Sequence, residues 1–306
     1  MVRKSLYGET VEYFNGKEWK SISDYKPATD KVLIYNPTNH TVFLSTPINH
    51  IKSKSKKINH VTSSFFSVDI SDEVEFYGTP RKDDGEDTTE PKVMPFNEIC
   101  IEDYNYFSHY CLISSFNNSN ENSSMLNDGK FEIMAYAVTM GECDGYDCTI
   151  GFDNKKESGT FLNLLNKNAI RYNYNQKDIS IRFRLPRDID LFTSNPLGLS
   201  NREIGKLAYF VVDNFMVGNV RNKKVVIKNT NSLDFVQMVL ALNGMRSNIK
   251  NNELIMYKGG FTRLQSNLFK IEEKIVNGQY SFTIKNDHYI VLRSNGVIFV
   301  GGDFKK

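Results

Sequence analysis

The chain has 306 residues, 40% hydrophobic and 24% charged, with a formal net charge of +2. That is the composition of a globular protein with a sizeable core and room for two domains. No apolar run reaches the ~18 residues of a membrane span, and Met1–Tyr7 lacks the apolar stretch of a secretory signal. Both features exclude an integral membrane protein and predict a cytoplasmic one.

Cys100, Cys111, Cys143 and Cys148 form no CxxC pair and are too few for a disulfide scaffold. Cys143 and Cys148 are two candidate zinc ligands, but nothing nearby completes a set of four. All four cysteines read as free thiols of a reducing cytosol.

The charge is uneven. Between Lys130 and Glu253 there are 17 Lys and Arg against 13 Asp and Glu, while the flanks are slightly acidic. A polyanionic partner therefore belongs to the middle.

In chain order, the first third reads as short strands. Val32–Tyr35 and Thr41–Leu44 flank the turn cluster Asn36-Pro37-Thr38-Asn39, a hairpin pattern. A second β region runs from Phe65 to Tyr77. The tract 81–91 is too polar to bury anything, and the Asn/Ser-rich tract 117–128 marks a domain boundary.

The period then changes. Lys130–Gly141 has helical spacing and is apolar on most faces; Cys148–Phe152 reads as a strand, and Lys155–Asn166 as an amphipathic helix. Ile179–Leu185 alternates, with Ile179, Ile181, Phe183 and Leu185 on one face and Ser180, Arg182 and Arg184 on the other. The order repeats. Ser200 and Glu203 form a capping box that opens an apolar helix; Lys223–Asn229 is a strand, and Ser232–Asn243 is a helix closed by Gly244. Helix, strand, helix, strand thus occurs twice at a spacing of roughly seventy residues, which is a duplicated unit. The last fifty residues return to strands, Tyr280–Ile284, His288–Leu292 and Val297–Val300, with a tight turn at Ser294-Asn295-Gly296.

Ala135 to Cys143 and Lys206 to Asn214 can be laid over one another, each with Ala third (Ala137, Ala208) and a carboxylate eighth (Glu142, Asp213). Small residues let two helices approach closely, so the two acids would emerge side by side, where a divalent cation compensates their repulsion. These stretches resemble the LAGLIDADG homing endonucleases of the single-chain type. The usual Asp-Gly ending is replaced by Glu142-Cys143 and Asp213-Asn214. Val217-Gly218 is an alternative ending for the second helix and leaves the site without its acid.

The resemblance implies double-stranded DNA as partner, a monomer with internal pseudo-twofold symmetry, and Mg2+ held by Glu142 and Asp213 for hydrolysis of the scissile phosphates. It also implies DNA contacts from the strand faces. Lys177, Arg182, Arg184 and Arg187 would supply them in the first repeat, and Arg221, Lys223, Lys224 and Lys228 in the second.

The flanks carry a second resemblance. Ser5-Leu6-Tyr7-Gly8-Glu9-Thr10, with Asn15-Gly16-Lys17-Glu18-Trp19-Lys20-Ser21-Ile22, is similar to the opening block of an intein; the stretch from Tyr280 through His288 to Asp303 is similar to the closing blocks. Ser5 stands at the splicing nucleophile and Asp303 at the terminal Asn. The Thr-x-x-His strand falls on Ser71-Asp72-Glu73-Val74, without an imidazole; Thr46 to His50 is closer in letters but falls early. A carboxylate is a far poorer nucleophile than an amide for the final cyclisation, and Phe304 follows where Cys, Ser or Thr is needed. Splicing is therefore expected to be lost.

The fold expected is α+β: an all-β Hint-like splicing domain (1–128 and 255–306) split by a two-repeat αββα LAGLIDADG-type domain (129–254). Two functions follow from it. One is an intein-derived, Mg2+-dependent homing endonuclease; the other is a non-cutting DNA-binding or structural protein of the same descent. The Asn-, Lys- and Ile-rich composition points to an AT-rich genome of the phage kind, in a bacterial cell.

Overall fold

Strands from the first third of the chain pair with strands from the last fifty residues. Asn49–Ser53 pairs with Gln279–Thr283, and Lys57–Thr62 with Lys270–Ile275. Val11–Phe14 and Val32–Asn36 both pair with Tyr289–Ser294, and Arg3–Lys4 with Phe304–Lys305, all antiparallel. The computed structural model describes residues 3–54, 57–64, 66–82, 90–101, 108–118, 126–187, 189, 195–218, 223–227, 229–257 and 261–305. One buried cluster draws only on residues from Tyr7 to Leu112 and from Leu264 to Phe299. At its centre Tyr13, Tyr25 and Phe282 meet edge to face, with ring centroids 4.9 to 5.6 Å apart, the arrangement that ring quadrupoles favour. The two ends of the chain therefore build one β domain, which also carries the short helix α1 (Phe96–Ile101).

The intervening chain holds two copies of one arrangement. The first is α2 (Asp128–Met140), strands Gly141–Asp144 and Asp147–Gly151, α3 (Lys155–Lys167), and strands Tyr172–Asn175 and Ser180–Arg184. The second is α4 (Asn201–Phe215), strands Met216–Gly218 and Lys223–Val225, α5 (Leu233–Leu242), and strands Ser247–Lys250 and Glu253–Met256. In both, the four strands lie antiparallel in the spatial order first, second, fourth, third. The repeat is αββαββ, two strands longer than the αββα expected. The additional strands are Tyr172–Asn175 with Ser180–Arg184 and Ser247–Lys250 with Glu253–Met256; the first of each pair is the last strand of its four-strand set.

Local sequence explains the helix ends. Asn127 caps α2 by accepting from Lys130 N at 2.9 Å, and Asn154 caps α3 by accepting from Glu157 N at 2.9 Å. At α4 the Ser200–Glu203 capping box forms as the sequence predicts. Gly244, at φ +75°, reverses the chain after α5, a conformation costly for residues with a Cβ. Phe131, Ile133, Met134, Ala135, Ala137, Val138 and Met140 of α2 are all buried, because α2 lies between α3, α4 and its own sheet. In contrast, α4 buries Glu203 of its capping box and the apolar stripe Ile204, Leu207, Ala208 and Val211, and leaves Tyr209 60% exposed.

The second sheet is continuous with the β domain, since Asn248 pairs with Val297 as well as with Ile255. Arg293 fastens the same junction. It holds Glu12 through two bonds of 2.6 and 2.9 Å, bonds Asp234 of α5, and lies 4.8 Å over the Trp19 ring.

One expectation is corrected here. Cys143 and Cys148 are neither free thiols nor zinc ligands: they sit directly opposite each other in the first hairpin and form a disulfide. A spacing of five in a hairpin with its turn at Gly145 (φ +58°) makes them cross-strand neighbours. Cys100 and Cys111 take no part in a disulfide.

Candidate functional site

Two places gather the residues singled out by the sequence. The first is where the chain ends meet. Arg3 pairs with Lys305 and Lys4 with Phe304, and continuing that register sets Ser5 opposite Asp303. Both are fully buried. Ser5 Oγ accepts from Glu75 N at 3.0 Å, and Ser71 Oγ accepts from Leu6 N at 3.3 Å. The tract Ser71–Val74 therefore lies against Leu6, the residue after Ser5. Val74 itself is buried and apolar.

Gly302 fits where a larger residue would not: a Cβ there would lie 2.6 Å from Ser5 Oγ. The Tyr7 hydroxyl donates to Gly302 O at 2.9 Å. Burial pushes the Tyr7 phenol well up; a hydrogen bond with Ser5 opposes this, and the carboxylates of Asp303 and Glu75 add to it. Asp303 Oδ2 accepts from Ile284 N at 3.3 Å. The hydrogen-bond partners found for Ser5 among the described residues are thus an amide N–H and a phenol held protonated. Neither takes a proton from a hydroxyl at neutral pH.

The imidazoles lie elsewhere. His50 stacks on Tyr280 at 5.8 Å, and burial holds its pKa down. His60 contacts Asp69 at 2.6 Å, and the other oxygen of Asp69 accepts from Thr10 at 2.8 Å and Lys274 at 3.0 Å. Sequence reasoning missed this cluster because its members come from four separated strands and turns with no shared spacing. Gly302 was also missed; it is a plain Gly-Gly in sequence, and only the approach of Ser5 gives it meaning.

The second place is the seam between α2 and α4. Lys206 bonds Asp128 and lies 5.6 Å over the Phe131 ring, while Tyr136 meets Phe210 edge to face at 5.2 Å. The two helices run side by side in the same sense. The two ring contacts match residues 74 or 75 apart, not the 71 that superposes Ala137 on Ala208. The helix ends agree, because Gly141 and Met216 are both the C-cap and the first strand residue of their repeats. Val217, 51% exposed, is thus the counterpart of Glu142.

Asp213 lies within α4, exposed beside the groove that Asp128, Glu132 and Arg202 also line. Val217-Gly218, the alternative ending open in the sequence, follows directly on the end of α4. Glu142 and Asp213 are not equivalent by the internal symmetry, and the residues present do not form a symmetric two-acid site for Mg2+.

The cationic residues divide by repeat. In the first sheet Glu142, Thr149, Arg182 and Asn173 share one row, and Asp144, Asp147 and Arg184 the next. Arg182 and Arg184 are exposed while Ile181 and Phe183 are buried, so these rows face outward. Arg182 is 4.0 Å from Asp147 and 65% exposed. Lys177 and Arg187 are exposed at the two ends of the same strand region. In the second sheet Lys224 faces outward and pairs with Glu253 at 2.6 Å. Lys223 begins that strand with its side chain outside the described residues, as are Arg221 and Lys228 altogether.

No protein-family model matches the sequence, and no curated protein matches it. Among solved structures, the chain is similar to a splice-inactive, GSH-linked variant of the AceL NrdHF class 3 split intein. Sequence identity is 8%, coverage is 99% of both chains, and the TM-score is 0.38.

Proposed function

We propose that this chain is an intein-derived DNA-binding protein: the duplicated αββαββ unit holds duplex DNA across its outward strand faces, and the splicing centre survives only in outline. The observation that carries this reading is the repeat itself. Two units share one strand order and pack through their first helices, and the first turns a polar face bearing Arg182, Arg184 and Asn173 outward from an apolar inner face. Arginine on such a face suits guanine edges and phosphates. Val217 in the place of a second acid argues against double-strand cutting.

A second reading is favoured by Glu142, an exposed acid at the end of α2 in the same row as Arg182. It is an endonuclease that nicks one strand. A gel-shift assay beside a cleavage assay on the same plasmid DNA, with and without Mg2+, separates them. The first reading predicts retarded DNA that stays supercoiled. Nicked circles lost in Glu142→Gln support the second, and linear product contradicts the first.

A further inference from the structure

We propose that the cleft where the second sheet joins the β domain reads a base edge of bound DNA, with Asn248 as the specificity-determining residue. This rests on the DNA-binding reading above. The cleft has a volume of about 580 Å³, and its walls include Ser63 and Ser64 of a β-domain turn, Tyr257, and the Arg293 ion-pair group. Asn248 lines it, is only 6% exposed, and has a side-chain oxygen with no hydrogen-bond partner. Leaving a buried amide oxygen unpaired costs about 1–3 kcal/mol. A ligand that supplies a donor there recovers that cost.

The position of Asn248 fixes which ligand. It pairs with Ile255, in one row with Lys224 and Val217, while the alternate residues Val225 and Leu254 are fully buried against the helices. The row faces the same way as the outward face of the second sheet, and Asn248 is at its far end. A duplex laid along that face meets the cleft as it leaves the sheet.

The charges favour a base over a phosphate. Glu12 and Asp234 are both bonded by Arg293, and Lys250 is exposed at the rim. Two acids against two bases leave no net positive charge to draw an anion. A carboxamide offers one donor and one acceptor side by side, the pattern that complements N7 and the N6 amino group of adenine.

The test is selection of duplexes from a randomised pool by the full chain, followed by binding of the selected site. The expected result is an adenine preference near one end of the site. Asn248→Ala removes that preference and weakens binding to the selected site roughly tenfold, without changing its salt dependence; Asn248→Asp shifts the preference toward cytosine. Arg182→Ala, by contrast, weakens binding to all sequences. Replacing the selected adenine by 7-deaza-adenine needs no protein variant and should also weaken binding. Unchanged binding to the 7-deaza duplex, or an unchanged base preference in a folded Asn248 variant, overturns the inference while leaving the DNA-binding reading intact. Absence of any duplex binding by the unaltered chain overturns both.

Discussion

Asp69 shows how a single residue depends on distant parts of the chain. Burial alone would raise its pKa, but hydrogen bonds from His60, Lys274 and Thr10 outweigh it and hold the carboxyl below its ordinary value. Its unfolded-state value is about 3.9. The stability it contributes is therefore present above that value and is lost as pH falls through the lower folded-state pKa. Asp69→Asn should cost about 2–3 kcal/mol at pH 7 and flatten the acid limb of stability, measured as urea midpoints between pH 7 and 2.5. An equally steep acid limb in the variant contradicts this. Nothing local announces the cluster: Thr10, His60, Asp69 and Lys274 are joined only by the folding of both chain ends into one domain. Ser5 and Asp303 were singled out because each sits in a longer run of letters, from Ser5 to Ile22 and from Tyr280 to Asp303, and the pairing of the chain ends brings the two positions together.

The helices were the most legible elements. Apolar spacing, together with caps such as Ser200–Glu203, set their boundaries to within a few residues. The strand Lys270–Ile275 was not legible, because its mostly exposed side chains leave no apolar alternation to read, and Tyr172–Asn175 was not, because its alternation of tyrosine and asparagine spans only four residues. The acid register failed for a related reason. The apolar run of α4 ends at Val212, but the helix continues to Phe215, and that extension moves the helix–strand junction past Asp213. The hairpin after α2 gives the element-scale prediction. Its disulfide closes a short loop, so reduction should lower stability by about 2 kcal/mol. Chemical unfolding with and without dithiothreitol measures this, and a midpoint unaffected by reductant contradicts it.

Across the whole molecule, one guanidinium joins the β domain to the second repeat. Arg293, 8% exposed, bonds Glu12 on one side and Asp234 on the other. Arg293→Ala leaves two carboxylates facing each other at the junction and should cost about 3 kcal/mol. Arg293→Lys should restore only part of this, because an ammonium lacks the planar fork that holds Glu12. Thermal unfolding of both variants measures the difference, and equal loss in both contradicts it. The change of period near residue 130 and the spacing of the helices foreshadowed the helix that begins at Asp128 and its counterpart at Asn201. The fusion of the second sheet to the β domain was not legible, since it rests on the pairing of Asn248 with Val297 across the junction.

Binding of duplex DNA as a function of salt tests the central claim most directly. Fluorescence anisotropy from 50 to 300 mM salt should give a log affinity that falls linearly with log salt concentration. The slope should shrink by about two in the Arg182→Ala/Arg184→Ala double variant, with its unfolding midpoint unchanged. No binding at low salt, or an identical slope in the variant, contradicts the account.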